Sequence, residues 1–251
     1  MKAFIVNLKS DVEKKNNVIN QCKSHGINFE VIEAVAGKEL PQEILYTSSF
    51  DYPNSYLTKG VIGCTLSHLY IYSRIVSEDL PYALILEDDI IIEDSADSII
   101  QSVKTTISSK KPEIFLLNTP EAITPVINKK MRYNIVFYRM SRASQSPAYI
   151  INNQAARDLL NYNLPIKFEV DRWTAFRDYC GISIWSLQSG VIDTYDNDKS
   201  ESSLEEERSK VEDARLHFLS KLRKKEKGYQ IKRIFNLILK KMSNKDIPRP
   251  S

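Results

Sequence analysis

Apolar residues recur along this chain in two rhythms. Residues 2–8 form an unbroken β-forming run, which predicts a buried opening strand. Residues 11–25 read as a helix ended by Gly26, the residue type suited to the C′ position. Residues 28–33 return to strand character, so the chain opens β-α-β, an order that favours a parallel sheet. Prolines 41 and 53 and the aromatic residues Tyr46, Phe50, Tyr52 and Tyr56 then mark 37–59 as an irregular connection. Helical spacing resumes at Ile62, Leu66, Leu69, Ser73 and Val76, and Pro81 stops it before a strand over 83–86. Further on, the pattern predicts helices over 95–109 and 152–161 and strands over 113–117, 134–139, 148–151 and 182–187. A polar stretch covers 193–203.

The 83–86 strand delivers Glu87, Asp88 and Asp89 together before apolar residues resume. Three adjacent carboxylates repel one another, so such a cluster needs water, a cation or donor groups. In an open α/β sheet the end of a buried strand is also where ligands bind. A solvated turn between two strands is the plainer reading.

Length and composition narrow the classes. At 251 residues and 42% hydrophobic, the chain suits one large domain, or one domain with an appendage, over a substantial core. The opening apolar stretch is too short for a signal-peptide core, and no run approaches the roughly 18 residues of a membrane span. Cys22, Cys64 and Cys180 are odd in number and widely spaced, matching neither a disulfide framework nor a zinc motif. These features predict a reduced, cytosolic, soluble protein.

Charge is uneven. Residues 220–243 hold nine Lys or Arg against the single acid Glu226, a surplus of eight that leaves the rest of this +3 chain at −5. A domain over 1–203 is therefore followed by a charged helical tail over 204–251. Within that tail Ile231, Ile234, Phe235, Ile238 and Met242 share one helical face, giving a basic amphipathic helix suited to an anionic membrane surface. Packing of that stripe on its own domain is the alternative. Nucleic acid is disfavoured as a partner, because the remainder is acidic and no recognition motif accompanies the tail.

Several segments stand in a fixed order along the chain: Phe4-Ile-Val-Asn-Leu8, then Gly26-Ile-Asn-Phe-Glu30 with Ala34-Val-Ala-Gly37. The block Leu57-Thr-Lys-Gly-Val-Ile-Gly-Cys-Thr-Leu-Ser-His68 and the acidic Ala83-Leu-Ile-Leu-Glu-Asp-Asp89 follow. Ser146-Pro-Ala-Tyr-Ile-Ile151, Ala155-Ala-Arg-Asp-Leu-Leu160 and Val170-Asp171 continue the order. Taken together, this ordered set resembles glycosyltransferase family 25, the lipooligosaccharide galactosyltransferase-like enzymes, over roughly residues 3–200, the first two segments being similar to that family's first strand and to its second strand and loop. The chain departs from the family pattern at Ala36, usually Asp, and at Val61, often Glu.

The resemblance implies a GT-A-like α/β fold with a mainly parallel central sheet, a UDP-sugar donor and a divalent cation, Mn²⁺ or Mg²⁺, on an Asp-x-Asp-type motif. Asp89 is then the expected direct metal ligand. Glu87 stands beside it as a second metal or ribose contact, and Asp88 as a nucleotide contact. Asn7 and Leu8, Ala34 and Val35, and Gly60 fall where the family binds the nucleotide. An inverting transfer needs a general base at the acceptor hydroxyl. Asp171 is the candidate, with Glu169 as rival, and capping of the following helix is the structural alternative. The implied reaction moves a hexose, galactose from UDP-galactose, onto a lipooligosaccharide or related glycan at the inner face of a bacterial inner membrane. A nucleotidyltransferase, or a non-catalytic glycan-binding relative, is the competing reading. The first would carry a glycine-rich phosphate loop, which Asn7-Leu-Lys-Ser10 lacks. Cys64 and His68 sit one helical turn apart, but with no second pair nearby a core hydrogen-bonding role for His68 is expected. Trp173 and Trp185 are expected in the core or stacked on an acceptor sugar.

Overall fold

The computed structural model describes residues 1–195, 207–226 and 228, together with 231, 234, 235, 237, 238 and 241. Its centre is an eight-stranded sheet ordered β2-β1-β3-β8-β5-β9-β7-β6. The strands are β1 (Lys2–Asn7), β2 (Phe29–Glu33), β3 (Tyr82–Leu86), β5 (Glu113–Leu116), β6 (Ala122–Lys130), β7 (Val136–Arg142), β8 (Ala148–Asn152) and β9 (Ser183–Ser186). A separate antiparallel ribbon pairs β4 (Ile90–Ile92) with β10 (Ile192–Thr194). Six strands of the main sheet point one way, and only β8 and β7 oppose them. The expected mainly parallel α/β sheet is therefore present.

Both faces of this sheet are covered, which is why its central strands are continuous apolar runs and do not alternate. Along β3, Ala83 and Ile85 enter one core with α3 (Lys59–Ser77), α5 (Asn153–Asn163) and α6 (Trp173–Tyr179). Leu84 and Leu86 enter the other, with α1 (Val12–Ser24), α4 (Ala96–Thr106) and the β4–β10 ribbon. Each fully buried Ile or Phe in these layers contributes about 1.5–3 kcal/mol relative to exposure.

Two stretches differ from the sequence pattern. The supposedly irregular 37–59 contains a 3₁₀ turn (Gly37–Glu39) and α2 (Gln42–Ser48). Pro41 opens α2, where its missing N–H costs nothing, and Leu45 anchors the helix in the core. The 119–133 connection contains β6, a strand at the sheet edge whose irregular register brackets Pro125. An edge is where a strand tolerates proline.

The charged tail also begins inside the fold. Helix α7 (Glu212–Lys225) buries Leu219 in the α3–α5–α6 core and sinks Arg215 to 4% exposure. A boundary at residue 203 thus does not separate α7 from the domain.

Close packing explains one motif. A Cβ on Gly63 would lie 2.5 Å from the Val35 carbonyl oxygen and 2.6 Å from the Gly37 nitrogen. The loop after β2 therefore rests directly on the first turns of α3. Gly63→Ala is expected to destabilise the protein by about 1–3 kcal/mol through overpacking against backbone. A thermal melt unchanged from wild type would show that the loop can give way.

Candidate active site

Because β2, β1 and β3 are parallel, their carboxyl ends share one edge of the sheet. Asn7 ends β1, Ala34 and Val35 follow β2, and Glu87, Asp88 and Asp89 follow β3. The edge is stitched together by specific bonds. Ala34 N–H donates to the Asn7 carbonyl at 2.8 Å, and Val35 N–H donates to Ser67 Oγ of α3 at 2.8 Å. Asn7 Nδ2 donates to Asp88 Oδ2 at 2.6 Å and to the Asp11 carbonyl at 3.0 Å, so one buried amide fixes both the Asp88 carboxylate and the turn into α1. Leu8 accepts Asp11 N–H within that turn, and Gly60 lies buried in the first turn of α3. The structure thus brings Asn7, Ala34, Val35, Glu87, Asp88 and Asp89 to the carboxyl ends of three parallel strands, the edge at which open α/β sheets bind ligands.

The carboxylates behave as a crowded donor set. Burial, then the charge of Asp89, pushes Glu87 up to about 8. Burial also pushes Asp88 up to about 6, against the hydrogen bond from Asn7. Ser146 Oγ donates to Glu87 Oε1 at 2.7 Å, and Lys14 of α1 lies near enough for Asp88 and Asp89 to favour its charged form. Among the described residues no three His, Cys, Asp or Glu side chains form a complete metal cage. A cation carried by a nucleoside diphosphate takes one or two protein carboxylates and fills its shell with phosphate and water. Hard oxygen donors that burial and mutual repulsion have made costly to ionise fit that need.

Asp171 lines a cleft of about 440 Å³ together with Tyr56, Thr58, Arg142, Arg208 and Leu216 among others. Its charge is felt by Glu87 across the site. Cys64 on α3 senses Glu87, Arg208 and Asp171 together, though burial is the main reason its thiol is raised. Arg208 Nη1 stands 3.7 Å from Asp171 Oδ2. Arg172, not Asp171, precedes α6 at the capping position, so the capping alternative does not hold.

Glu169 has a different role from the one expected. Burial alone would raise its carboxyl, but hydrogen bonds and charge from Arg215 and Arg172 hold it at about 2. Arg215 Nε lies 2.9 Å from Oε1, and Arg172 Nε lies 3.0 Å from Oε2. A carboxylate held so firmly ionised accepts protons poorly. Glu169 is a structural anion and leaves the set of candidate bases.

His68 is a core residue. Its Nδ1 lies 2.7 Å from the Tyr149 hydroxyl, which in turn pairs with Tyr72 at 2.6 Å, and burial lowers the imidazole to about 4. Trp173 is fully buried edge-on against Tyr149, its indole N–H donating to the Gln145 carbonyl at 2.7 Å. Trp185 is half-buried under Arg139 and Lys129 on the β9 strand. Sequence reasoning missed Ser146 as a Glu87 partner and missed Arg208 and Arg215, which approach the site from the charged tail.

The sequence pattern of glycosyltransferase family 25 (LPS biosynthesis protein) matches residues 1–174. Procollagen galactosyltransferase 2 of Homo sapiens is 29% identical over 98 residues, covering 36% of this chain and 16% of that protein. The lipooligosaccharide biosynthesis protein lic2B of Haemophilus influenzae is 26% identical over 94 residues, covering 38% of this chain and 35% of that protein. The chain thus spans about a sixth to a third of the length of these relatives. A solved glycosyltransferase involved in glycosylating the major capsid of PBCV-1 aligns with a TM-score of 0.36 at 11% identity, covering 84% of this chain and 98% of that one. With more than two thirds of its residues matched in order by the family pattern, the chain belongs to glycosyltransferase family 25.

Proposed function

We propose that this protein is an inverting glycosyltransferase that moves a hexose from a UDP-sugar, UDP-galactose by preference, onto a lipooligosaccharide or related glycan. The observation that carries this reading is Asp171: it lines the open cleft while its charge reaches the buried carboxylates at the carboxyl end of β3. A donor on the rim and an acceptor in the cleft would meet there. The names of the two relatives, a galactosyltransferase and a lipooligosaccharide biosynthesis protein, support the choice of donor sugar and acceptor class.

Asp89, with Glu87 beside it, would hold a divalent cation, which when bound neutralises charge on the departing diphosphate. Asn7 holds the Asp88 carboxylate in place, leaving it to accept hydrogen bonds from ribose hydroxyls. Asp171 takes the proton of the acceptor hydroxyl, and Arg208 beside it keeps the carboxylate oriented into the cleft.

Binding and turnover test separate parts of this scheme. Calorimetry should show UDP binding that strengthens with Mn²⁺ or Mg²⁺ and weakens with chelator. Asp171→Asn should keep UDP affinity while kcat for transfer to glycolipid falls about 10²- to 10⁴-fold, the usual share of a general base. Turnover of Asp171→Asn at the wild-type rate would remove Asp171 as the base. Absence of UDP binding would remove the donor assignment altogether.

A further inference from the structure

Among the described residues, those beyond α7 join neither hydrophobic core. Ile231, Ile234, Phe235, Leu237 and Ile238 are helical and between 50% and 75% exposed. Five large apolar side chains so exposed within eight residues exceed the isolated apolar positions an ordinary surface carries. At 100° per residue, Ile231, Ile234, Phe235 and Ile238 share one face, and Leu237 widens it on one flank. Met242, also assigned to this stripe, lies outside the described residues. In the sequence, Lys232, Arg233 and Lys240 fall opposite this face, and the wider 220–243 segment holds nine bases and one acid.

We propose that this segment is a membrane-docking helix whose partner is an anionic lipid surface. The apolar face enters the boundary between headgroups and acyl chains, while the basic face meets lipid phosphates. Charge selects this occupant: a strongly cationic, acid-poor helix complements an anionic sheet of lipid. No described helix is long and apolar enough to cross a membrane. Position adds a consequence. Leu216 and Arg223 of α7 line the Asp171 cleft, and only five residues lie between Lys225 and Ile231. The six Cα-to-Cα steps span at most about 20 Å, so a docked tail holds one wall of the cleft close to the lipid surface. A water-soluble donor and a lipid-linked acceptor could then be brought to the same site. The docking itself holds whichever sugar is transferred.

The test uses the full chain and sedimentation with phosphatidylcholine vesicles, with and without phosphatidylglycerol. Binding is expected only with phosphatidylglycerol present and should weaken as salt is raised. A variant carrying Ile234→Glu and Phe235→Glu should bind at least about tenfold less, and one carrying Lys232→Glu and Arg233→Glu should lose its preference for anionic vesicles. Lipid-free melting temperature and sedimentation coefficient should stay at wild-type values in both. Equal binding to both vesicle types, or wild-type binding by the Ile234 and Phe235 variant, would overturn the proposal. So would a shift in lipid-free melting or sedimentation, which would place the stripe against its own domain or a second copy.

Discussion

Asp89→Ala is expected to lower UDP-sugar turnover about 10³-fold, equivalent to about 4 kcal/mol of transition-state stabilisation, without unfolding the protein. The backbone at this position is held independently of the side chain: Tyr195 N–H donates to the Asp89 carbonyl at 3.1 Å, and the β4–β10 ladder begins at the next residue. The Asp89 charge is also one reason Glu87 and Asp88 resist ionisation. Its removal therefore relieves repulsion, and the variant should melt at or above the wild-type temperature. Function and stability pull in opposite directions here, as is common where like charges are assembled for binding. Calorimetry separates the roles: the variant should bind UDP in chelator as wild type does but gain little affinity when Mn²⁺ is added. Turnover within about tenfold of wild type, or an unchanged metal increment, would show that the diphosphate anchor lies elsewhere.

The residues of this rim were legible because each sits where a local pattern ends. Strand β1 runs out at Asn7, β2 at Glu33 and β3 at Leu86, and a parallel sheet brings those ends together whatever lies between them. Asn7 and Asp88 are 81 positions apart yet share a 2.6 Å hydrogen bond for that reason. Helix α3 was equally readable, since its stripe is long and apolar. What stayed hidden depends on tertiary partners with no local signature. Glu169 looked like a base because an acid two positions from Asp171 invites that reading, and only the fold reveals the arginine 46 residues away that claims it. Helix α2, preceded by Pro41, and strand β6, which contains Pro125, were hidden by prolines that local propensity penalises, whereas a helix start and a sheet edge accommodate them.

Arg215→Ala should be among the most damaging single changes outside the rim, costing about 3–5 kcal/mol, the range for a buried ion pair that loses one partner. The guanidinium spans three segments: it donates to both Glu169 oxygens, to the Ser55 carbonyl at 2.8 Å and to the Lys167 carbonyl at 2.7 Å. Without it the Glu169 carboxylate stays buried with only Arg172, and two backbone carbonyls lose their donor. A fall in melting temperature of roughly 10 °C is expected for a chain of this size. The same pair sets a pH dependence. Glu169 is held at about 2 in the folded protein against an ordinary value of 4.5, so its contribution is complete above about 4.5 and disappears as pH falls toward 2. A depression of this size corresponds to stabilisation on the order of 3 kcal/mol for a group this deeply buried. Urea midpoints measured between pH 6 and about 2.5 should fall more steeply for wild type than for Glu169→Gln, and parallel curves would show that the carboxylate is not held by the arginines. Because Glu169 also accepts Arg172 N–H at 3.1 Å through its carbonyl, the clamp fixes the backbone on either side of Asp171. Helix α7, beyond the family-matched region, therefore positions the proposed base from outside, and Arg215→Ala should lower kcat for transfer more than it weakens UDP binding.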